Sequence, residues 1–376
     1  MIVLSPTDAP RGNRDHLAGE LRLRARHRLG YRTVTICVAL IIVICALLVV
    51  SGAVGTVSVS VAEAAQIVVG HLVPGMPWMS DGSLLPLQDQ AVWQFRLPRA
   101  LLAALAGAGL ALAGALMQVT VRNPLAEPYI LGVSSGASVG AVLVIVLGSA
   151  ALGGLSLNVA AFAGALAACI AVALLARKNG TLSPTRMILA GVALGTLLSA
   201  VTSYLTISTD AQNVVSVLFF LLGSVSAATM HSLIGPAIAL TVSCLVAASL
   251  ARSLNALMTG DESAISLGVN ASRLRGILLV IASLLTGAVV SVAGGIGFVG
   301  LVVPHIARIA VGADHRRMLP VTVLGGAVFL MLADLLARTV AQPTEIPLGI
   351  LTAFVGAPFF LWLMRRGGAE KAGFGR

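Results

Sequence analysis

Apolar stretches of about 20 residues recur along nearly the whole chain, and they decide the fold class before any motif is read. Ten can be drawn, at 34–54, 98–119, 128–149, 155–177, 184–207, 231–251, 274–292, 296–312, 319–340 and 346–365. A helix advances 1.5 Å per residue, so about 20 apolar residues carry it across the hydrocarbon core. In lipid only helices and closed barrels satisfy every backbone amide, and no segment shows the alternating pattern of a barrel strand. The expectation is an all-α polytopic membrane protein with ten transmembrane helices. Only 10% of the residues are charged, against about 25% in soluble domains. The 40 glycines fit a bundle whose helix backbones approach closely.

The formal net charge of +10 does not point to nucleic acid. It sits in an N-terminal segment and in short connections between spans, where basic residues mark the cytoplasmic side. Ten spans with both ends inside place nearly all of the 24 Lys and Arg in the cytoplasm. Arg96, Arg99 and Arg338 alone fall at the outer face. Three domains follow: a cytoplasmic Arg-rich tail over 1–33, a transmembrane domain over 34–366, and a cytoplasmic C-terminus over 367–376. The first apolar run is too long for a cleaved signal peptide and reads as an uncleaved span behind an irregular tail.

A weak internal repeat appears at an offset of 180 residues. Gly107, Ala108, Ala113, Gly114, Pro124 and Gly132 match Gly287, Ala288, Ala293, Gly294, Pro304 and Gly312. The copies start on spans two and seven, five spans apart, so spans 2–5 and 7–10 would form an inverted repeat, a transporter architecture. The outer segments 55–97 and 208–230 exceed simple connectors, and 213–222 reads as a short helix across the outer mouth. Cys37, Cys45, Cys169 and Cys244 lie inside apolar spans without metal-ligand spacing, and the histidines do not cluster. Gly132 to Gly136 fits the G-x-S-x-G pattern of a serine nucleophile. That pattern needs a strand–turn–helix elbow, and here it opens a transmembrane helix, where close packing explains it better.

The cytoplasmic connection 252–275 is the longest polar one inside apart from the tail. Leu254, Leu257 and Met258 are apolar at helical spacing, Gly260 breaks the run, and Asp261 and Glu262 suit the start of a second short helix ending near Leu267 and Gly268. Two short helices there suggest a docking knob for a soluble partner. Asp334 lies four residues before Arg338, close enough on one helix face to pair with it.

Several ordered segments resemble the FecCD-type permeases, the membrane subunits of ABC importers for ferric siderophores, haem and vitamin B12. They are RLPR at 96–99, GALMQVTVRNPLAEPYILGVSSGA at 114–137, RMILAGVALG at 186–195 and LNALMTGDESAISLGV at 254–269. GGIGFVGLVVPHIARIAVGADHRRMLP at 294–320, ADLLAR at 333–338 and EIPLGILTAFVGAPFFLWLM at 345–364 complete the set. The resemblance runs from about residue 34 to the C-terminus.

That resemblance implies roles for particular residues. Asn255, Met258, Gly260, Asp261, Glu262, Leu267 and Gly268 would belong to coupling helices seated on an ATPase. Arg96, Arg99 and Arg338 would receive acidic residues of an extracytoplasmic substrate-binding protein. Asn123 and Leu125, with Ser183 and Pro184, would form the cytoplasmic gate. Two permease subunits, copies or paralogues, would enclose the pathway in a bacterial inner membrane. No G-x-x-x-x-G-K-[ST] sequence occurs, so ATP and Mg would sit on two separate ATPase subunits, and the chain itself would hold no cofactor, catalytic residue or metal. The favoured cargo is a ferric siderophore, with haem and cobalamin as alternatives. The rival reading is an ion-coupled secondary transporter, which needs ion ligands near the bilayer midplane and leaves the knob without a purpose.

Overall fold

The computed structural model describes residues 11–178, 180–342 and 344–372. The first ten residues of the expected tail and the last four of the C-terminus lie outside them. The described chain is helical apart from turns and one two-residue antiparallel ladder, Arg177–Lys178 against Thr181–Leu182. Helix α1 spans Arg11–Ala53, so the basic segment expected to be irregular is helical from Arg11 onward. Between α1 and the second span come two helices not foreseen individually, α2 (Val61–Leu72) and α3 (Pro86–Gln90). Ser60 caps α2 reciprocally: its hydroxyl accepts from Glu63 N at 3.2 Å, and the Glu63 carboxylate accepts from Ser60 N at 2.6 Å.

A π-helical stretch, Ala91–Arg96, leads without a break into α4 (Leu97–Thr120). The helices α5 (Val133–Leu147), α6 (Leu157–Ala176), α7 (Pro184–Ile207) and α8 (Ala211–Leu222) follow. Next come α9 (Ile234–Ser249), α10 (Ala251–Met258), α11 (Asp261–Ser266) and α12 (Ala271–Ala293). The chain ends with α13 (Val299–Val311), α14 (His315–Ala337) and α15 (Leu348–Ala372). Among the described residues, 7 helices are long and apolar enough to cross a membrane. Of the remaining expected spans, α5 has 15 residues and α13 has 13. At 1.5 Å per residue they reach about 22 and 20 Å, short of a 30 Å core.

The centre of the bundle is α4. It packs most extensively on α14 and also against α12, while α12 packs on α6. Small residues make these crossings possible. A Cβ at Gly107 would fall on the carbonyl oxygen of Gly326, and one at Gly114 on that of Gly300. At Gly287 of α12 it would meet the methyl of Ala165 at 2.9 Å. The backbones therefore touch where larger side chains would hold them apart.

Candidate functional site

The three arginines expected at the outer face meet at one end of the bundle, and all three side chains are buried. Arg96, Arg99 and Arg338 are only 7%, 9% and 7% exposed. The last carbonyls of α1 have no partners of their own, and two of the arginines supply them. Arg96 Nη1 donates to the carbonyls of Gly52 at 2.8 Å and Ala53 at 3.1 Å, and its Nη2 to that of Val57. Arg338 Nη1 donates to the carbonyls of Ser51 and Val54, both at 3.2 Å, and its Nη2 to Ser51 Oγ at 2.7 Å. Cations at a helix C-terminus are also favoured by its dipole.

Arg99 bridges two carboxylates. Its Nε donates to Asp334 Oδ1 at 2.8 Å, and its Nη1 to both oxygens of Glu345, at 2.8 and 3.0 Å. Arg338 Nε closes on Asp334 Oδ2 at 3.3 Å as an ion pair without an aligned hydrogen bond. The pairing of Arg338 with Asp334 expected from their spacing is thus present. Asp334 is fully buried, whereas the Glu345 side chain is 46% exposed. The Leu97–Pro98 step between Arg96 and Arg99, which suggests a turn, is instead continuous helix, with Pro98 lying just after the π-helical turn Ala91–Arg96. A cavity of about 550 Å³ opens beside the cluster, bordered by Gln90, Phe95, Gln342 and the three arginines.

The connection expected to form a knob does form two short helices, α10 and α11. Gly260 between them has φ 121° and Gly268 after them φ 78°, backbone that favours glycine. Leu254 and Leu257 are buried against the bundle. Met258, Ile265 and Leu267 face outward, 41%, 64% and 68% exposed. Each helix is pinned separately. Asp261 receives Arg275 Nη1 at 2.9 Å and Nη2 at 2.6 Å, and Arg122 approaches it at 3.4 Å. The paired Arg275 guanidinium holds the Asp261 carboxyl below the usual carboxylate range. Asn255 Nδ2 donates to Asp314 Oδ1 at 2.7 Å, and its Oδ1 accepts from His315 N at 3.0 Å. Glu262 is exposed and makes no such tie.

Ser183 and Pro184 line a cavity of about 1,210 Å³ together with Asp261, Gly268 and Arg275. One gate candidate is therefore brought against the knob. Asn123 and Leu125 do not line that cavity, although Arg122 does. Asn123 Oδ1 accepts from Leu125 N at 2.9 Å, so that turn is held by its own side chain.

Residues 39–366 match the FecCD transport family. The chain belongs to that family. The cobalamin import system permease protein BtuC of Halobacterium salinarum is 44% identical over 308 residues, which cover 78% of this chain and 82% of that protein. The hemin transport system permease protein HmuU of Yersinia pestis is 41% identical over 293 residues, covering 76% of this chain and 87% of its own. An inward-facing structure of an ABC transporter of metal-chelate type matches with TM-score 0.75 at 33% identity, over 88% of this chain and 99% of that one. This FecCD protein is a multi-pass permease subunit of an ABC transporter. It is not itself an ATPase, and a partner subunit uses the ATP.

Sequence reasoning missed two participants. The sequence assigns no partner to Glu345 or to Arg275. Arg275 is 2% exposed, and its Nε also donates to the Thr120 carbonyl at the end of α4 at 3.1 Å. The presence of Arg275 within the apolar pattern of its helix is the one signal that could have found it.

Proposed function

We propose that this FecCD permease imports a bulky metal chelate, a ferric siderophore in particular, delivered by an extracytoplasmic binding protein. The observation that carries the reading is the knob: two separately pinned short helices with outward apolar residues, a docking surface for a soluble subunit. On this reading Asn255, Met258, Gly260, Asp261, Glu262, Leu267 and Gly268 couple the bundle to an ATPase. Two such subunits engage a pair of permeases, each a copy or a paralogue of this chain, around a central pathway. The cytoplasmic gate is formed by the turns at Asn123–Leu125 and Ser183–Pro184.

The chain crosses the membrane ten times with both termini in the cytoplasm, α5, α13 and α15 supplying the crossings that length alone does not require. The loop charges support this, and so do the crossings of α4 with α14 and of α12 with α6. Exchanging spans 2–5 with 7–10 turns the first crossing into the second, as an inverted repeat requires. At the outer rim docking proceeds by exchange. A carboxylate of the binding protein takes the place of the exposed Glu345 on Arg99, with Arg96 and Arg338 holding the seat in shape.

Proteoliposomes carrying the permease with its ATPase and binding protein test the reading. ATP-dependent uptake of a radiolabelled ferric siderophore is expected, and Arg99→Glu should weaken binding-protein association while ATPase docking persists. Accumulation of cobalamin or haemin but of no ferric chelate overturns the siderophore assignment. ATP-independent uptake driven by an ion gradient overturns the importer.

A further inference from the structure

Between α9 and α14, at the end of the bundle that carries the knob, lies a cavity of about 400 Å³ that none of the roles above uses. Its walls are apolar, with Cys244 and Ala248 of α9 facing Leu319 and Val323 of α14, and Leu112 of α4 beyond them. The wall residues offer almost nothing to a polar molecule along their length. Two polar residues at the start of α14, His315 and Arg316, also line the cavity. Arg316 is exposed. His315 is 3% exposed and its Nε2 has no hydrogen-bond partner, which is costly for a buried ring nitrogen.

The surrounding bonds fix what Nε2 can accept. Asn255 Nδ2 faces the carboxylate of Asp314, which only accepts, and Asn255 Oδ1 faces the backbone amide of His315, which only donates. The orientation of the Asn255 amide is thereby set. His315 Nδ1 lies 2.6 Å from that same Oδ1, so Nδ1 carries the proton. In the neutral ring Nε2 is then an acceptor, and the group that completes it must donate a hydrogen. Arg316 beside it lies within electrostatic reach of Asp314 but forms no ion pair among the described residues, and its exposed charge favours an anion. Basic residues at the inner ends of grooves between transmembrane helices suit anionic lipid headgroups.

We propose that this slot holds one phospholipid of phosphatidylglycerol type. An acyl chain lies between α9 and α14, the phosphate pairs with Arg316, and a headgroup hydroxyl donates to His315 Nε2.

The test is native mass spectrometry of the full-length permease, titrated with phosphatidylglycerol, with phosphatidylmethanol (the same charge without a headgroup hydroxyl) and with phosphatidylcholine. Phosphatidylglycerol should be retained about fivefold over phosphatidylmethanol, the effect of one net hydrogen bond, and further over phosphatidylcholine. Arg316→Gln should lower phosphatidylglycerol retention about fivefold, as one lost cation does, whereas Arg273→Gln, at another exposed cation of the same face, should leave it unchanged. Ala248→Phe should fill the slot and remove retention of every lipid. Equal retention of phosphatidylglycerol and phosphatidylmethanol overturns the proposal. So does an equal loss in Arg273→Gln, or full displacement by inorganic phosphate, which would mark a simple anion site.

Discussion

Asp334 shows how much one residue can hold. It is fully buried and faces two guanidinium groups from different parts of the chain, Arg99 on α4 and Arg338 just past the end of its own helix. Removing one partner of a buried ion pair leaves uncompensated charge, at a cost of about 3–5 kcal/mol. Asp334→Ala should therefore lower the thermal unfolding midpoint sharply in detergent. Glu345→Gln, at the half-exposed end of the same cluster, should cost about 0–1 kcal/mol, a difference that a fluorescence melt resolves. At the opposite end of the bundle, in the knob, Asp261 gives a pH dependence. Its carboxyl titrates below the ordinary carboxylate range because Arg275 grips it. The stabilisation is therefore complete above about pH 4 and is lost as the pH falls through the depressed value. Hydrogen exchange at α11 should accelerate on acidification, and Asp261→Asn should abolish that dependence.

At the scale of elements, α14 joins the two ends of the molecule. Its 23 residues extend about 34 Å, from Asp314 at its cap, tied to α10 through Asn255, to Asp334 at the arginine cluster. Apart from Pro320 near its start, which removes one backbone hydrogen bond, the helix runs unbroken between the two ties, so on the proposed coupling role a displacement of the knob is carried along it to the arginine cluster. Asn255→Ala should cut that tie. In vesicles containing the ATPase, hydrolysis should persist while uptake falls severalfold, measured as ATP consumed per chelate accumulated. These ties were the least legible part of the chain. Helix ends were readable because apolar runs, prolines and glycines mark them locally, and α7 begins and ends where its apolar run does, at 184 and 207. The partners of Arg99 were not, because Asp334 and Glu345 are 235 and 246 residues away. Nothing in the local sequence encodes a contact at that separation, whereas Asp334 and Arg338, four apart, could be paired on sight.

Across the whole molecule, small residues set how closely the bundle closes. Gly107→Val should force α4 away from Gly326 of α14, and overpacking of this kind costs about 1–3 kcal/mol or more. Gly297→Ala, where an added methyl meets nothing within 4 Å, is the matched control in the same melting experiment. The bundle as a class was legible from its apolar spans, and most of their limits agree with the helices to within a few residues. Its close crossings were not, because 40 glycines hide the few that touch another backbone among many that do not. The rim cluster has one more consequence, felt at a distance. Three arginines share their space with Asp334 and Glu345, leaving one net positive charge. Beyond about one Debye length, roughly 8 Å at physiological salt, an approaching protein senses almost no field from it. On the proposed docking role, a binding protein is then captured by collision and sorted after contact, and its association rate should barely change between low and high ionic strength.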